Sequence, residues 1–246
     1  MFPFAAQGQP AATLKFVFSR PYDNPRTQWL IRVYRDVCAL SDLGFDYIDV
    51  PPKRATAMVL AGQADGELGR TFAFQDFFPA LVRLSEPNNT VNFCAYGAGP
   101  LTRFPGLDKL RQSHLRCESR RGIYELEALL ATHADNDNWS LIDDVGQGLR
   151  KLQMHRTDLY FDVQEAVDDY QTFRHCNGLS ETPVIRQLAT VSTTTGHCYL
   201  NRAHAALAPR MAVALAKLKH DGTVGRHLQQ CLLEYQQRCR QAGSRL

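Results

Sequence analysis

The first third of the chain alternates between two spacings of hydrophobic positions. Residues 14–19 place apolar side chains at every second position, which predicts a strand, and residues 29–40 place them at helical spacing. A second strand at 45–50, a second helix at 51–62, a third strand around 65–68 and two extended segments at 81–84 and 91–95 follow. Strands and helices that alternate in this order predict a parallel sheet with right-handed crossovers.

A second cycle begins after the glycine- and proline-containing cluster at residues 97–100. The pattern beyond it predicts extended segments at 114–118, 158–163 and 188–192, and helices at 123–130, 145–153, 164–173, 209–219 and 224–239. We therefore predict an α/β fold of two lobes, each a mixed sheet flanked by helices, joined by two hinge crossings. Lobe one takes residues 13–98 and 190–246, and lobe two is inserted at 99–189. Residues 1–12 are predicted to be a flexible N-terminal remnant.

The composition is that of a globular chain. Of 246 residues, 44% are hydrophobic and 22% charged, which supplies a sizeable core. The 28 basic and 25 acidic side chains are interspersed and leave a net charge of +3, so we expect no nucleic-acid partner. No apolar run reaches the length of about 18 residues that a membrane span requires. Residues 1–12 resemble the tail of a removed secretory signal, and an ordinary flexible terminus is the alternative.

Neither a metal site nor a catalytic site is expected. The seven cysteines form no Cys-x-x-Cys pair and no zinc-like spacing with histidine, and their odd number leaves at least one thiol unpaired. His197, His204 and His220 occur without a nucleophile motif such as Gly-x-Ser-x-Gly or a metal motif such as His-Glu-x-x-His. We therefore predict no cofactor, no bound metal and no catalytic residue.

Charged candidates for ligand binding follow the strands of lobe one. Arg70 comes just after the third strand, where α/β sheets bind ligands, and its planar guanidinium suits a carboxylate or phosphate. The alternative for Arg70 is a salt bridge with Glu67 or Asp65. Arg54 opposes the dipole of its helix, which indicates another partner, and a surface pair with Asp49 is the alternative.

Further candidates lie in loops and near a helix start. Arg20 and Tyr22 follow the first strand, where an aromatic ring can stack on a ligand or only shape a turn. Tyr96 precedes the glycine cluster and is either a hinge packing residue or a ligand contact. Ser119 and the pair Arg120–Arg121 open a predicted helix, where side chains and free N–H groups suit an anion. A solvated helix start is the alternative.

Five short motifs occur in a family-like order along the chain. They are DVPPKRA at 49–55, GQADGELGR at 62–70, RRG at 120–122, CYLNRAH at 198–204 and LAPRMAVALAKLKHDG at 207–222. In this order they resemble the bacterial extracellular solute-binding proteins of family 3, which are related to components of polar amino-acid ABC transporters. The likeness spans about residues 13 to 225, and the order of the motifs is more specific than any one of them.

The resemblance implies a periplasmic-binding-protein-like fold of type 2 that closes an interlobe cleft on a small polar solute. It also implies a monomer in the periplasm whose signal peptide is removed or truncated. An inner-membrane ABC transporter permease is the implied partner, unless the protein is a sensor. Anionic and amino-acid-like solutes are both open. A cyclohexadienyl-dehydratase-like lyase on the same scaffold, with Glu67 or Asp162 as its buried acid, is the alternative.

One stretch departs from the family pattern. The family carries T-x-[KE]-R after its third strand, and that arginine holds the ligand carboxylate, whereas residues 70–78 here read RTFAFQDFF. The aspartate that would bind an α-amino group corresponds to Asp162, one position early. The resemblance therefore implies an amino-acid-like site that lacks one of its usual anchors.

Overall fold

The computed structural model describes residues 12–135, 137–179 and 182–243. Residues 1–11 of the predicted N-terminal remnant lie outside this part of the chain. The chain divides into two compact units. Unit 1 takes the chain up to Arg70, then Phe78–Asn88 and His197–Leu232, and unit 2 takes Thr71–Phe77, Asn89–Gly196 and the chain from Leu233 onward.

The elements are numbered in chain order. They are β1 (Thr13–Val17), α1 (Pro25–Leu40), β2 (Gly44–Tyr47), α2 (Ala55–Leu60), β3 (Gly66–Thr71), α3 (Phe74–Phe77), β4 (Leu81–Arg83), β5 (Asn89–Ala98), α4 (Leu107–Ser113), β6 (Cys117–Arg120), α5 (Tyr124–His133), β7 (Trp139–Ile142), α6 (Val145–Gln153), β8 (Leu159–Val163), α7 (Gln164–Cys176), β9 (Ile185–Asn201), α8 (Ala208–His220) and α9 (Thr223–Gly243). Two 3-10 turns, Pro52–Arg54 and Arg202–Leu207, lead into α2 and α8.

Unit 1 contains the parallel sheet that the first cycle predicts. β1 pairs in parallel with β2 on one side and with β3 on the other. The end of β9 lies next to β3, and β4 pairs antiparallel with this end of β9. Helix α1 begins where the Asn24 side chain accepts a hydrogen bond from the Arg26 N–H (2.9 Å) and Pro25 occupies the first turn. Its apolar face packs with α8 into a core that includes Phe16, Trp29, Val33, Leu68, Met211 and Leu215.

Unit 2 is a mixed sheet with a core on each face. β5 pairs antiparallel with β8 and β9, while β6 pairs in parallel with β7 and β8. Because side chains alternate along β8, Leu159 and Phe161 enter the core that includes Leu126 and Leu130 of α5. Tyr160 points to the other face, where it packs with Leu149 and Leu152 of α6.

The predicted lobe boundaries differ from the division between the units. The prediction separates residues 98 and 99 and residues 189 and 190, whereas the units part at Asn88/Asn89 and at Gly196/His197. The reason is strand pairing: Gly97 and Ala98 pair with Arg186 and Ile185 of β9, so the glycine cluster ends β5 inside unit 2. In addition, the last part of α9 belongs to unit 2 and not to unit 1.

Candidate functional site

Hydrogen bonds join the side chains of Arg70, Glu67 and Thr56 in unit 1 into a closed ring. Arg70 and Glu67 are predicted site residues, and Thr56 lies beside them. Arg70 Nε donates to Glu67 Oε1 (2.7 Å), and Arg70 Nη2 donates to the Thr56 hydroxyl (2.8 Å). That hydroxyl in turn donates to Glu67 Oε2 (2.9 Å). The Glu67 side chain is fully buried, and the Arg70 side chain is 15% exposed. The salt bridge that the sequence left as an alternative is therefore present.

Two tyrosines lie close together at the carboxyl ends of β1 and β2. The rings of Tyr22, which is half-exposed, and Tyr47 have centroids 5.8 Å apart. The Tyr47 hydroxyl oxygen is buried and makes no hydrogen bond to any residue that the structure describes. Burial raises the pKa of Tyr47 to about 12, with smaller contributions from Asp49, Tyr22 and Glu67. The phenol therefore stays protonated and can donate a hydrogen bond.

The other two basic candidates of unit 1 have different surroundings. The Arg20 guanidinium carbon lies 5.8 Å from the centre of the Phe18 ring, a cation–π contact at the end of β1. Arg54 ends the 3-10 turn and is exposed. Within the described part of the chain it makes no ion pair, and so the suggested pair with Asp49 is not formed.

A second ion pair stands at the carboxyl ends of β6 and β8 in unit 2. Arg120 Nε donates to Asp162 Oδ2 (2.9 Å) and Arg120 Nη2 to Asp162 Oδ1 (2.8 Å), a bidentate geometry. The Tyr160 hydroxyl and the Val163 N–H (2.7 Å) also donate to Asp162, which is fully buried. Burial alone would lower the pKa of Arg120, but Asp162 outweighs it and raises that pKa. The Arg120 side chain is 19% exposed, and its Nη1 takes no part in the pair.

The remaining unit 2 candidates do not join this pair. Ser119 is buried within β6, where its hydroxyl accepts from the Trp139 indole N–H (3.1 Å). Arg121 makes an exposed ion pair with Asp143 (3.3 Å). Tyr96 is 2% exposed and belongs to the core on the α6 face of the sheet.

The N–H groups that were expected to attract an anion near α5 are partly occupied. Gly122 N–H donates to the Glu127 carboxylate of the same helix (2.6 Å). A carboxylate in the first turn also brings negative charge to this helix start. Both features make the start of α5 a poorer anion site than the residue types alone indicate.

An apolar segment occupies the place where the resembled family carries its ligand arginine. Within unit 2, Phe74 and Phe77 of α3 pack against Tyr124, with ring centroids 5.8 and 5.2 Å apart. The Ala73 N–H donates to the Glu125 carboxylate. This segment therefore contributes aromatic packing and a backbone hydrogen bond to α5.

Three residues that belong to the clusters described above were not predicted from the sequence. They are Tyr47, Thr56 and Tyr160. Tyr160 stands two positions before Asp162 on one strand, and the alternation of a strand places both on the same face. The strand alternation around Asp162 was therefore a signal in the sequence for Tyr160. Tyr47 and Thr56 offered none, because their roles depend on how β2 and α2 pack beside β3.

The ion-paired cluster of each unit offers hydrogen-bonding groups and charge. Among residues 12–135, 137–179 and 182–243, no group of three or more His, Cys, Asp or Glu side chains is placed to hold a metal ion. Glu67 and Asp162, the acids of the lyase alternative, are both buried, yet the two oxygens of each already accept hydrogen bonds. Over the same described residues, no helix has the length and apolar character needed to cross a bilayer.

Comparison with known proteins places the fold. No model of a known protein family matches the chain. An uncharacterized protein of Shewanella oneidensis is 26% identical over 232 residues, which cover 94% of this chain and 86% of that protein.

Solved structures resemble the chain over most of its length at low identity. One is a histidine kinase sensor domain with similarity to periplasmic binding proteins (TM-score 0.72, 14% identity, 91% of this chain and 97% of that chain). Another is an amino-acid ABC transporter substrate-binding protein from Streptococcus pneumoniae bound to L-arginine (0.70, 12%, 91% and 96%). A third is an ancestral amino-acid-binding protein, a precursor of cyclohexadienyl dehydratase (0.67, 11%, 89% and 94%). The chain therefore has the two-lobed periplasmic-binding-protein fold, and the predicted fold class is confirmed.

Proposed function

We propose that this chain reversibly binds a small polar solute and catalyses no reaction. The observation that carries the proposal is the bidentate Arg120–Asp162 pair at the carboxyl ends of β6 and β8, which leaves Arg120 Nη1 outside the pair. Ligands of α/β proteins bind at this edge of a sheet. An arginine whose side chain is partly exposed and bound by a buried carboxylate is a preorganised donor, so little ordering is needed when a solute arrives.

The charges of the clusters favour an amino-acid-like or neutral polar solute over a simple anion. Arg120 is balanced by Asp162, and in unit 1 Arg70 is balanced by Glu67. A purely anionic solute would meet guanidinium groups whose charge is already compensated, and it would approach buried carboxylates. A solute that carries both charges, or none, avoids that repulsion.

Aromatic residues of unit 1 support the same class of ligand. The half-exposed Tyr22 offers a ring face, and the Tyr47 hydroxyl offers a buried donor without a partner in the described residues. A polar solute with an apolar or cationic part can use both. We further propose that Arg20 lies at the edge of this surface and that Arg54 does not contribute.

We propose that the protein works in the periplasm. There it either delivers its solute to a transporter or serves as the ligand-binding part of a sensor. The structures that support this include a substrate-binding protein of an amino-acid ABC transporter and a sensor domain. An ABC transporter permease is the proposed partner in the first setting. In the second setting, ligand binding is the signal to which a kinase responds.

The test is thermal unfolding of the full chain against amino acids, dicarboxylates, polyamines and neutral sugars. A true ligand at about 100 times its Kd adds about 2.7 kcal/mol to the free energy of unfolding. We expect an amino acid or a neutral polar solute to raise Tm and dicarboxylates to leave it unchanged. Calorimetry with the hit should show at least a tenfold weaker Kd for Arg120→Lys, since lysine lacks the planar fork.

The matched control is Arg121→Lys, one residue further along and outside the pair. It should bind as the unmodified chain does. Binding that is equally weakened in both variants, or a panel in which no solute raises Tm, would contradict the proposed function.

A further inference from the structure

Two cysteines far apart in sequence lie near the end of α7 in unit 2. Cys239 near the end of α9 has its sulfur 4.0 Å from the carbonyl oxygen of Thr172. In a helix that carbonyl is the hydrogen-bond partner of the residue four positions on, which is Cys176, the last residue of α7. The Cys176 thiol is also near enough to contribute to the raised pKa of Cys239.

Cys176 differs from the other cysteines in access to solvent. Cys176 is partly exposed, whereas the other six cysteines are buried. Burial raises the pKa of Cys38 and Cys117 to about 12, which suppresses their thiolates. An oxidant in solution therefore meets Cys176 first.

We propose that Cys176 and Cys239 form a reversible disulfide that fastens the end of α9 to α7. The first part of α9 is held in unit 1, where the Val224 carbonyl accepts from Trp29 Nε1 (3.0 Å) and Cys231 is buried in the core. The part from Leu233 onward belongs to unit 2. The disulfide would make the attachment of that second part covalent.

The chemistry needs an oxidant, and a small-molecule disulfide such as oxidised glutathione supplies it. The Cys176 thiolate attacks the oxidant, forms a mixed disulfide and releases one glutathione thiolate, which takes up a proton. The Cys239 thiolate then attacks the Cys176 sulfur and releases the second glutathione. Two protein thiols are oxidised to one disulfide, and one glutathione disulfide is reduced to two thiols.

The second step should depend on pH. Burial, together with the neighbouring Cys176, raises the pKa of Cys239 to about 11. The contribution of Cys176 is absent once that residue is in the mixed disulfide, but burial still favours the Cys239 thiol over the thiolate. Because the thiolate is the attacking species, closure of the mixed disulfide should accelerate as the pH rises above neutral.

The experiment treats the full, reduced chain with excess oxidised glutathione and compares it with the untreated chain. We expect two of the seven thiols to be lost in a titration under denaturing conditions. The mass should fall by two hydrogens, and proteolytic mapping should find the peptides of Cys176 and Cys239 linked. Dithiothreitol should restore both thiols.

Two variants separate this pair from other outcomes. Cys239→Ser should form no internal disulfide and should keep a stable glutathione adduct on Cys176, while the control Cys231→Ala should still lose two thiols. An unmodified chain that loses no thiols, links any other pair of cysteines, forms disulfide dimers or stays glutathionylated at Cys176 would overturn the proposal. The mapping of the unmodified chain decides the matter even if a variant fails to fold.

Discussion

Removal of the Arg70 guanidinium should weaken unit 1 itself, whatever it does to binding. The Glu67 carboxylate has no exposed surface and depends on Arg70 Nε (2.7 Å) and the Thr56 hydroxyl (2.9 Å). In Arg70→Ala that carboxylate stays buried with one donor left. Breaking a buried pair from one side costs about 3 to 5 kcal/mol, and because the Arg70 side chain is 15% exposed we expect about 3.

The assay is urea unfolding followed by tryptophan fluorescence. Trp29 lies in the core of unit 1 and is 3% exposed, while Trp139 lies in unit 2. In a Trp139→Phe background Trp29 is the remaining tryptophan, so the fluorescence change reports the unfolding of the unit 1 core. With a slope of about 2 kcal/mol per molar urea, a loss of about 3 kcal/mol moves the midpoint down by about 1.5 M.

Three controls test the physical reason. Arg70→Lys keeps the charge and should lose less than Arg70→Ala. The double variant Arg70→Ala/Glu67→Gln removes both charges and should recover part of the loss. Arg54→Ala removes an exposed arginine of unit 1 and should change the free energy of unfolding by less than about 0.5 kcal/mol. If the midpoint of Arg70→Ala moves no more than that of Arg54→Ala, the buried-pair argument fails.

Two further predictions concern buried polar groups of unit 1. Tyr34→Phe should lower the free energy of unfolding by about 1 to 3 kcal/mol in urea titrations, because it strips Asn88 Oδ1 of a buried donor 2.6 Å away. His197, whose Nδ1 lies 2.8 Å from the Leu84 carbonyl oxygen, has its pKa lowered chiefly by burial, so it stays neutral when folded. Stability should therefore fall as the pH drops below about 6.5, and His197→Gln, unlike the exposed control His220→Gln, should make that fall shallower.

The elements that the sequence predicted well are those whose own periodicity is strong. The helix predicted at 145–153 has those bounds in the structure, and the parallel pairing of β1 with β2 and β3 is confirmed. The missed elements, α3, α4 and β7, have four to seven residues. Only Leu110 is buried in α4, so no apolar stripe marked that helix.

Long-range pairing explains why β9 was underestimated. Only residues 188–192 were predicted as extended, whereas the strand runs over Ile185–Asn201. The middle of β9 is rich in threonine and serine, so it shows no clear alternation of apolar and polar residues. The strand is stabilised by pairing with β5 from Asn89 to Ala98. No local window contains that information, because the partner lies about a hundred residues away.

The arginines show most sharply where sequence reasoning about a binding site stops. An arginine after a strand predicts a binding site for an anionic ligand only if no carboxylate of the protein already pairs with that arginine. Arg120 and Asp162 are separated by 42 residues, and they meet because β6 pairs with β8 in a register that sets Ser119 beside Phe161. A shift of one residue would turn Asp162 to the opposite face and leave Arg120 without a buried partner. The charge that a solute meets at this edge is therefore decided by strand register, and a binding panel that favours amino-acid-like over purely anionic solutes is the expected consequence.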